Sequence, residues 1–117
     1  MFEIKCDGVC SRVLDGDTVD IVVARTVRVR LLDLWCPETR SVRGTTPETK
    51  AAGIRAREFL AARIEGKPVS FRVPIDAGAR FGESMSFGRV LAYVEHVGDD
   101  VSRLMVDAGH GTKTKGG

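Results

Sequence analysis

Val13-Leu14-Asp15-Gly16-Asp17-Thr18-Val19-Asp20-Ile21-Val22-Val23 is the stretch on which the fold turns. Two apolar runs meet at Asp15-Gly16, a dipeptide that suits a hairpin because both residues tolerate positive φ. The flanking runs, Val9 to Leu14 and Thr18 to Val23, are rich in β-branched residues and read as strands. A third run, Val27 to Leu34, alternates Val27, Val29 and Leu31 with Arg28, Arg30 and Leu32, so the whole predicts a β-meander. The period of two sends Arg28 and Arg30 to one side of the third strand, which is either solvent or a site.

Beyond the meander, Cys36-Pro37 ends the strand because proline cannot donate to a ladder, and the polar run from Thr39 to Thr45 reads as a loop. Thr46-Pro47 opens a helix with a capping hydroxyl and a proline in the first turn; Thr45 and Glu48 offer a capping box one residue earlier. Ala52, Ala56, Phe59, Leu60 and Ile64 recur at three- and four-residue steps, predicting a helix over about residues 47 to 65 with Gly66 as its stop. Strands follow over Lys67 to Pro74 and Gly88 to His96, with a glycine-rich hairpin loop from Ala77 to Ser84 between them. Asp99-Asp100 caps a short helix through Val101, Leu104, Met105 and Ala108. This order predicts an α+β, mainly β fold: a five-stranded OB barrel with one long helix and a short C-terminal helix.

At 117 residues the chain is one domain, expected over residues 1–109 with 110–117 as a frayed tail. The composition, 43% hydrophobic and 29% charged, is that of an ordinary soluble globule. No apolar run approaches the roughly 20 residues that span a bilayer, and the first residues lack the basic start and apolar stretch of a secretory signal. A monomer in the cytoplasm or another intracellular compartment is the expectation. Net charge is only +2, so attraction to nucleic acid rests on local clustering of Arg25, Arg28, Arg30, Arg40 and Arg43. Three cysteines, with Cys6 and Cys10 the one close pair, form no zinc pattern; free thiols are the main reading and a Cys6–Cys10 bridge the other.

The chemistry lies in four short segments: Asp15-Gly16-Asp17-Thr18, Val29-Arg30-Leu31, Pro37-Glu38-Thr39 and Phe87-Gly88-Arg89. Hydrolysis of a phosphodiester needs a base for water, cations for the charge of five-coordinate phosphorus and, commonly, a carboxylate-bound metal. One glutamate, two arginines and an acidic turn meet that list. Each has a plainer reading: Asp-Gly as a surface turn, Arg30 paired with Asp20 across a hairpin, Glu38 and Arg89 solvated.

In these segments, and over about Val9 to Gly109, the chain resembles the staphylococcal nuclease (thermonuclease) family. Val13 to Val19 matches its first motif, Val29-Arg30-Leu31 with Pro37-Glu38-Thr39 its second, and Phe87 to Val94 its third. The resemblance implies a calcium-dependent endonuclease acting on DNA, RNA or both, in single-stranded or unpaired form. It implies Asp17 as a Ca²⁺ carboxylate with the Cys36 backbone carbonyl beside it, Arg30 and Arg89 as the grip on phosphate, and Glu38 as the group activating water. The chain departs from the pattern at Trp35, where the family has a second metal-binding aspartate. Asp33, which shares strand parity with Trp35, is the substitute ligand to test, while Trp35 is either core or a ring for a base to stack on. Arg28, Trp35, Arg40, Arg43 and Phe87 are the remaining nucleic-acid contacts to test. The alternative is a non-catalytic OB module that binds nucleic acid or a protein partner through a degenerate metal site.

Overall fold

In the computed structural model, the described residues are 2–23, 26–39, 44–75, 85–86 and 89–114. The strand-rich first third does form a meander: β1 (Phe2–Asp15), β2 (Thr18–Val22) and β3 (Thr26–Leu31), paired antiparallel in sequence order. After it come α1 (Pro47–Ile64), β4 (Pro68–Ile75), the two-residue β5 (Met85–Ser86), β6 (Arg89–His96), the two-residue β7 (Asp99–Asp100) and α2 (Val101–Asp107). The expected loop from Ala77 to Ser84 lies outside the described residues.

Closure of the barrel depends on the length of β1. Its second half pairs with β2, from Val9 with Val22 to Asp15 with Thr18, while its first half pairs with β4, from Phe2 with Ile75 to Val9 with Pro68. One strand thereby borders two neighbours in succession. β4 then pairs with β6, and β6 runs parallel to β3 with Val29 opposite Val90, so five long strands close on themselves. A closed sheet of this kind has no long open edge. The result is a mixed five-stranded OB-like barrel with two helices, as the sequence predicts.

The interior follows from strand alternation. Val19, Ile21, Val29, Leu31, Val69, Phe71, Val73, Val90, Ala92 and Val94 all point inward and are buried. Leu60 and Ile64 of α1 and Val101 and Met105 of α2 join the same core. Each large apolar side chain so buried contributes about 1.5–3 kcal/mol relative to exposure. Thr46 caps α1: its hydroxyl accepts from the Thr49 N–H at 3.1 Å, and the Thr49 hydroxyl accepts from the Thr46 N–H at 2.9 Å. Asp100 caps α2 through the Ser102 N–H. No helix among the described residues is long and apolar enough to cross a membrane.

Two expectations need correction, and of the two readings of the cysteines the structure bears out free thiols. β3 stops at Leu31 rather than continuing to Leu34, because the chain turns at Asp33, whose φ is +56°. Asp33 and Trp35 therefore do not share the alternation of one strand. Cys6 and Cys10 stand four residues apart on the unbroken β1, roughly 13 Å at strand rise, whereas a disulfide needs Cα atoms within about 7 Å; all three thiols are free. Residues His110 to Thr112, the start of the expected tail, are held against the barrel rather than frayed. Trp35 and Thr112 exchange both backbone hydrogen bonds, at 2.8 and 2.9 Å, and the His110 ring lies 4.4 Å from that of Phe59.

That anchorage passes through Gly111. A Cβ there would lie 2.7 Å from Leu34 Cδ1, 2.8 Å from Cys36 Sγ and 2.9 Å from the Trp35 carbonyl oxygen. Gly111→Ala is expected to cost about 1–3 kcal/mol through this overpacking, lowering Tm by roughly 4 °C or more in a thermal melt.

Candidate active site

The turn after β1 organises the candidate site through its two aspartates. Asp17 is 8% exposed. Its Oδ2 accepts from the Cys36 backbone N–H at 2.9 Å and lies 3.6 Å from Arg30 Nη2, while its Oδ1 accepts from the Thr18 hydroxyl at 3.2 Å. Asp15 Oδ1 accepts from the Thr39 N–H at 3.2 Å and from the Thr39 hydroxyl at 2.6 Å. Two adjacent carboxylates thus fasten residues 36 and 39, the positions flanking Pro37-Glu38, to the barrel.

Arg30 leaves β3 on the outward side and is held from several directions. Its Nη1 donates to the carbonyls of Leu31 and of Leu34, the latter at 2.7 Å, and its guanidinium carbon sits 4.5 Å from the centroid of the Trp35 ring. Arg30 does not pair with Asp20; Arg28 does, at 3.0 Å, because the register sets Asp20 opposite Arg28 and Thr18 opposite Arg30. The parallel pairing of β3 with β6 sets Arg30 beside Leu91, and Arg89 lies two residues back on the same face.

The side chains surround a cleft of about 700 Å³. Asp15, Asp17, Arg30, Trp35, Cys36, Glu38 and Arg89 all line it, and so do Arg12, Arg28 and Arg57. Among the described lining residues five arginines stand against three acids, so this one cleft carries as much net positive charge as the whole chain. Arg12 and Arg57 escape a reading of the sequence, since one sits in an ordinary strand alternation and the other on a charged helix. Their only signal is position, Arg57 one residue past the buried Ala56. Asp33 stands apart: it is exposed and accepts from the Tyr93 hydroxyl at 2.9 Å, and it is not on the cleft. Arg40, Arg43 and Phe87 lie outside the described residues.

Burial governs the titration of this region. It lifts the Asp17 carboxyl above the ordinary aspartate range, against the lowering pull of Arg30, of the Cys36 N–H and of the Thr18 hydroxyl. Burial also pushes the Cys36 thiol up to about 12, with the Asp17 charge adding to it, so Cys36 stays a thiol at neutral pH.

Calcium takes six to eight oxygens. Both Asp17 oxygens and one Asp15 oxygen are already engaged by protein donors, and residue 35 offers an indole. Among the described residues, no group of three or more His, Cys, Asp or Glu side chains is placed to hold a metal ion. The carboxylate oxygens that the described cleft residues offer nearest the turn are those of Asp15 and Asp17, and the indole at residue 35 adds none.

No family model matches the chain. It is 38% identical over 100 residues to an uncharacterized protein of Bacillus anthracis, covering 83% of this chain and 42% of that protein. Over 48 residues it is 42% identical to the Micrococcal nuclease of Shigella flexneri, covering 40% of this chain and 28% of the nuclease. Over 54 residues it is 43% identical to Protein ParB of Escherichia coli, covering 45% of this chain and 25% of that protein. The chain spans less than half the length of each of these relatives.

Helix α1 braces the loop at Gly53. A Cβ there would fall on the Glu38 carbonyl, with the Glu38 carbonyl carbon at 2.6 Å and the Pro37 oxygen at 2.7 Å. In an open helix, glycine to alanine stabilises by about 0.5–1 kcal/mol; here the clash, about 1–3 kcal/mol, outweighs it. Gly53→Ala is therefore expected to lower Tm and to shift the Glu38 and Thr39 amide resonances.

Asp17 gives a second prediction. A carboxyl whose folded pKa is raised adds stability only while protonated, and that contribution is lost as pH rises through the folded value. Asp17→Asn, which keeps an acceptor for the Cys36 N–H, is expected to melt higher than the native chain at pH 7. The difference should close as pH falls below the ordinary aspartate range, as thermal melts across a pH series would show.

Proposed function

We propose that this cleft binds a phosphodiester of DNA or RNA and hydrolyses it. One observation carries the reading: Asp17, Arg30, Glu38 and Arg89, drawn from four separate segments, line one positively balanced cleft. The partial similarity to a micrococcal nuclease supports it.

In this reading Arg30 and Arg89 hold the non-bridging oxygens. Both Nη1 hydrogens of Arg30 are committed to carbonyls, so its contact with phosphate falls to Nε and Nη2. A guanidinium fixed in advance needs no reorganisation as charge grows on the phosphorane. Glu38 takes a proton from water as the water oxygen attacks phosphorus, one P–O ester bond breaks, and the departing oxygen is reprotonated from solvent. Asp17 orients Arg30 and fixes the loop that carries Glu38. The calcium ion expected from the resemblance is given no step here.

A second reading, binding without cleavage, is favoured by one feature: the Asp17 carboxylate is engaged by protein donors and Trp35 stands where a further carboxylate was expected. Denatured DNA or RNA incubated with the protein, with Ca²⁺, with Mg²⁺ or with chelator, separates the two. Under hydrolysis, Glu38→Gln lowers the rate about 10²- to 10⁴-fold and Arg89→Lys about 10²- to 10³-fold, since lysine has no two-pronged donor. Retained binding with no cleavage in any condition selects the second reading.

A further inference from the structure

We infer that Trp35 is a stacking platform for an unpaired base, placed so that one nucleotide reaches both the indole and the Arg30 guanidinium. This deepens the nucleic-acid reading above and rests on it, adding the residue that takes a base and the contact by which unpaired strands are preferred.

Four observations meet at this residue. Trp35 is 43% exposed, an unusual setting for a large aromatic whose neighbours Leu34 and Cys36 are buried and half-buried. It lines the same cleft as Glu38 and Arg89. Its backbone is pinned on both sides, by two hydrogen bonds with Thr112 and by the following N–H donating to Asp17. Its ring lies 4.5 Å from the Arg30 guanidinium carbon. A rigid, partly exposed ring beside a phosphate-binding cation loses little freedom on stacking with a base. Inside a duplex the base faces are already covered by their neighbours, so a flat aromatic surface selects strands whose bases are unpaired.

Trp35 is the chain's single tryptophan, so its emission reports the contact directly. With Glu38→Gln carried in every protein compared, to hold cleavage back, the chain is titrated with a short fluorescein-labelled oligo(dT), following polarisation of the label; the unlabelled strand is used for tryptophan emission. The expected result is saturable quenching that tracks binding, and affinity about 5- to 150-fold weaker in Trp35→Ala. Trp35→Phe, which keeps a ring, should recover most of that loss. An abasic strand of equal length should bind the native chain and Trp35→Ala alike, which a folding defect would not produce.

Equal affinity of the native chain and Trp35→Ala for oligo(dT), or unchanged emission while polarisation reports binding, overturns the stacking role and leaves the phosphate-binding reading standing. Tighter binding of duplex than of oligo(dT) overturns it equally. Failure of every strand to bind overturns both.

Discussion

The geometry of the cleft depends on the two carboxylates of the β1–β2 turn acting as a clamp. Asp17 receives the Cys36 N–H and Asp15 receives both donors of Thr39, so the segment between them is tied to the barrel at each end. Without these bonds, the backbone N–H groups of Cys36 and Thr39 would be left to water. With them, Pro37-Glu38 is pressed against α1 at Gly53, and Glu38 itself remains exposed at the cleft wall. The carboxylates most suggestive of a metal site are thereby employed as acceptors for the backbone.

That employment has an electrostatic cost and a compensation. A carboxylate as buried as Asp17 loses several kcal/mol of hydration, recovered only when charge and hydrogen bonds surround it. Arg30, the Cys36 N–H and the Thr18 hydroxyl do surround it, yet burial remains the larger influence on its titration. Arg30 is fixed in turn by two backbone carbonyls and the Trp35 ring. Each member of the group restrains the next, which is how a small barrel holds a long arginine still.

Most of the barrel was legible because β-strands announce themselves by alternation, and here Val19, Ile21, Val29 and Leu31 do so without interruption. The capping pair Thr46-Pro47 and the Asp100 cap marked both helices for the same local reason. What was not legible was set by contacts distant in sequence. β1 extends back to Phe2 because β4 supplies a partner, and Thr112 is held because it pairs with the backbone of Trp35. The strand through Asp33 reads as extended, but the chain turns there, and this one left-handed residue removes Asp33 from the cleft. The gathering of Asp17, Arg30, Glu38 and Arg89 was expected from the motifs; the additions of Arg12 and Arg57 required the folded barrel.

The turn at Asp33 also explains why Trp35 cannot be treated as an isolated replacement of a carboxylate. Had β3 continued, residue 35 would alternate with Leu34 and follow the barrel wall. Instead the chain leaves the wall at Leu31, returns with Leu34 buried, and presents residue 35 over Arg30 while its backbone bridges to the tail. A short acid at that position would face Arg30 and Asp17 together, attracted by one and repelled by the other, with a cation needed to settle the balance. An indole in the same place makes contact with the guanidinium and adds no negative charge beside Asp17. The side chains lining the cleft therefore keep their excess of positive charge, which is the property a phosphate-binding surface requires.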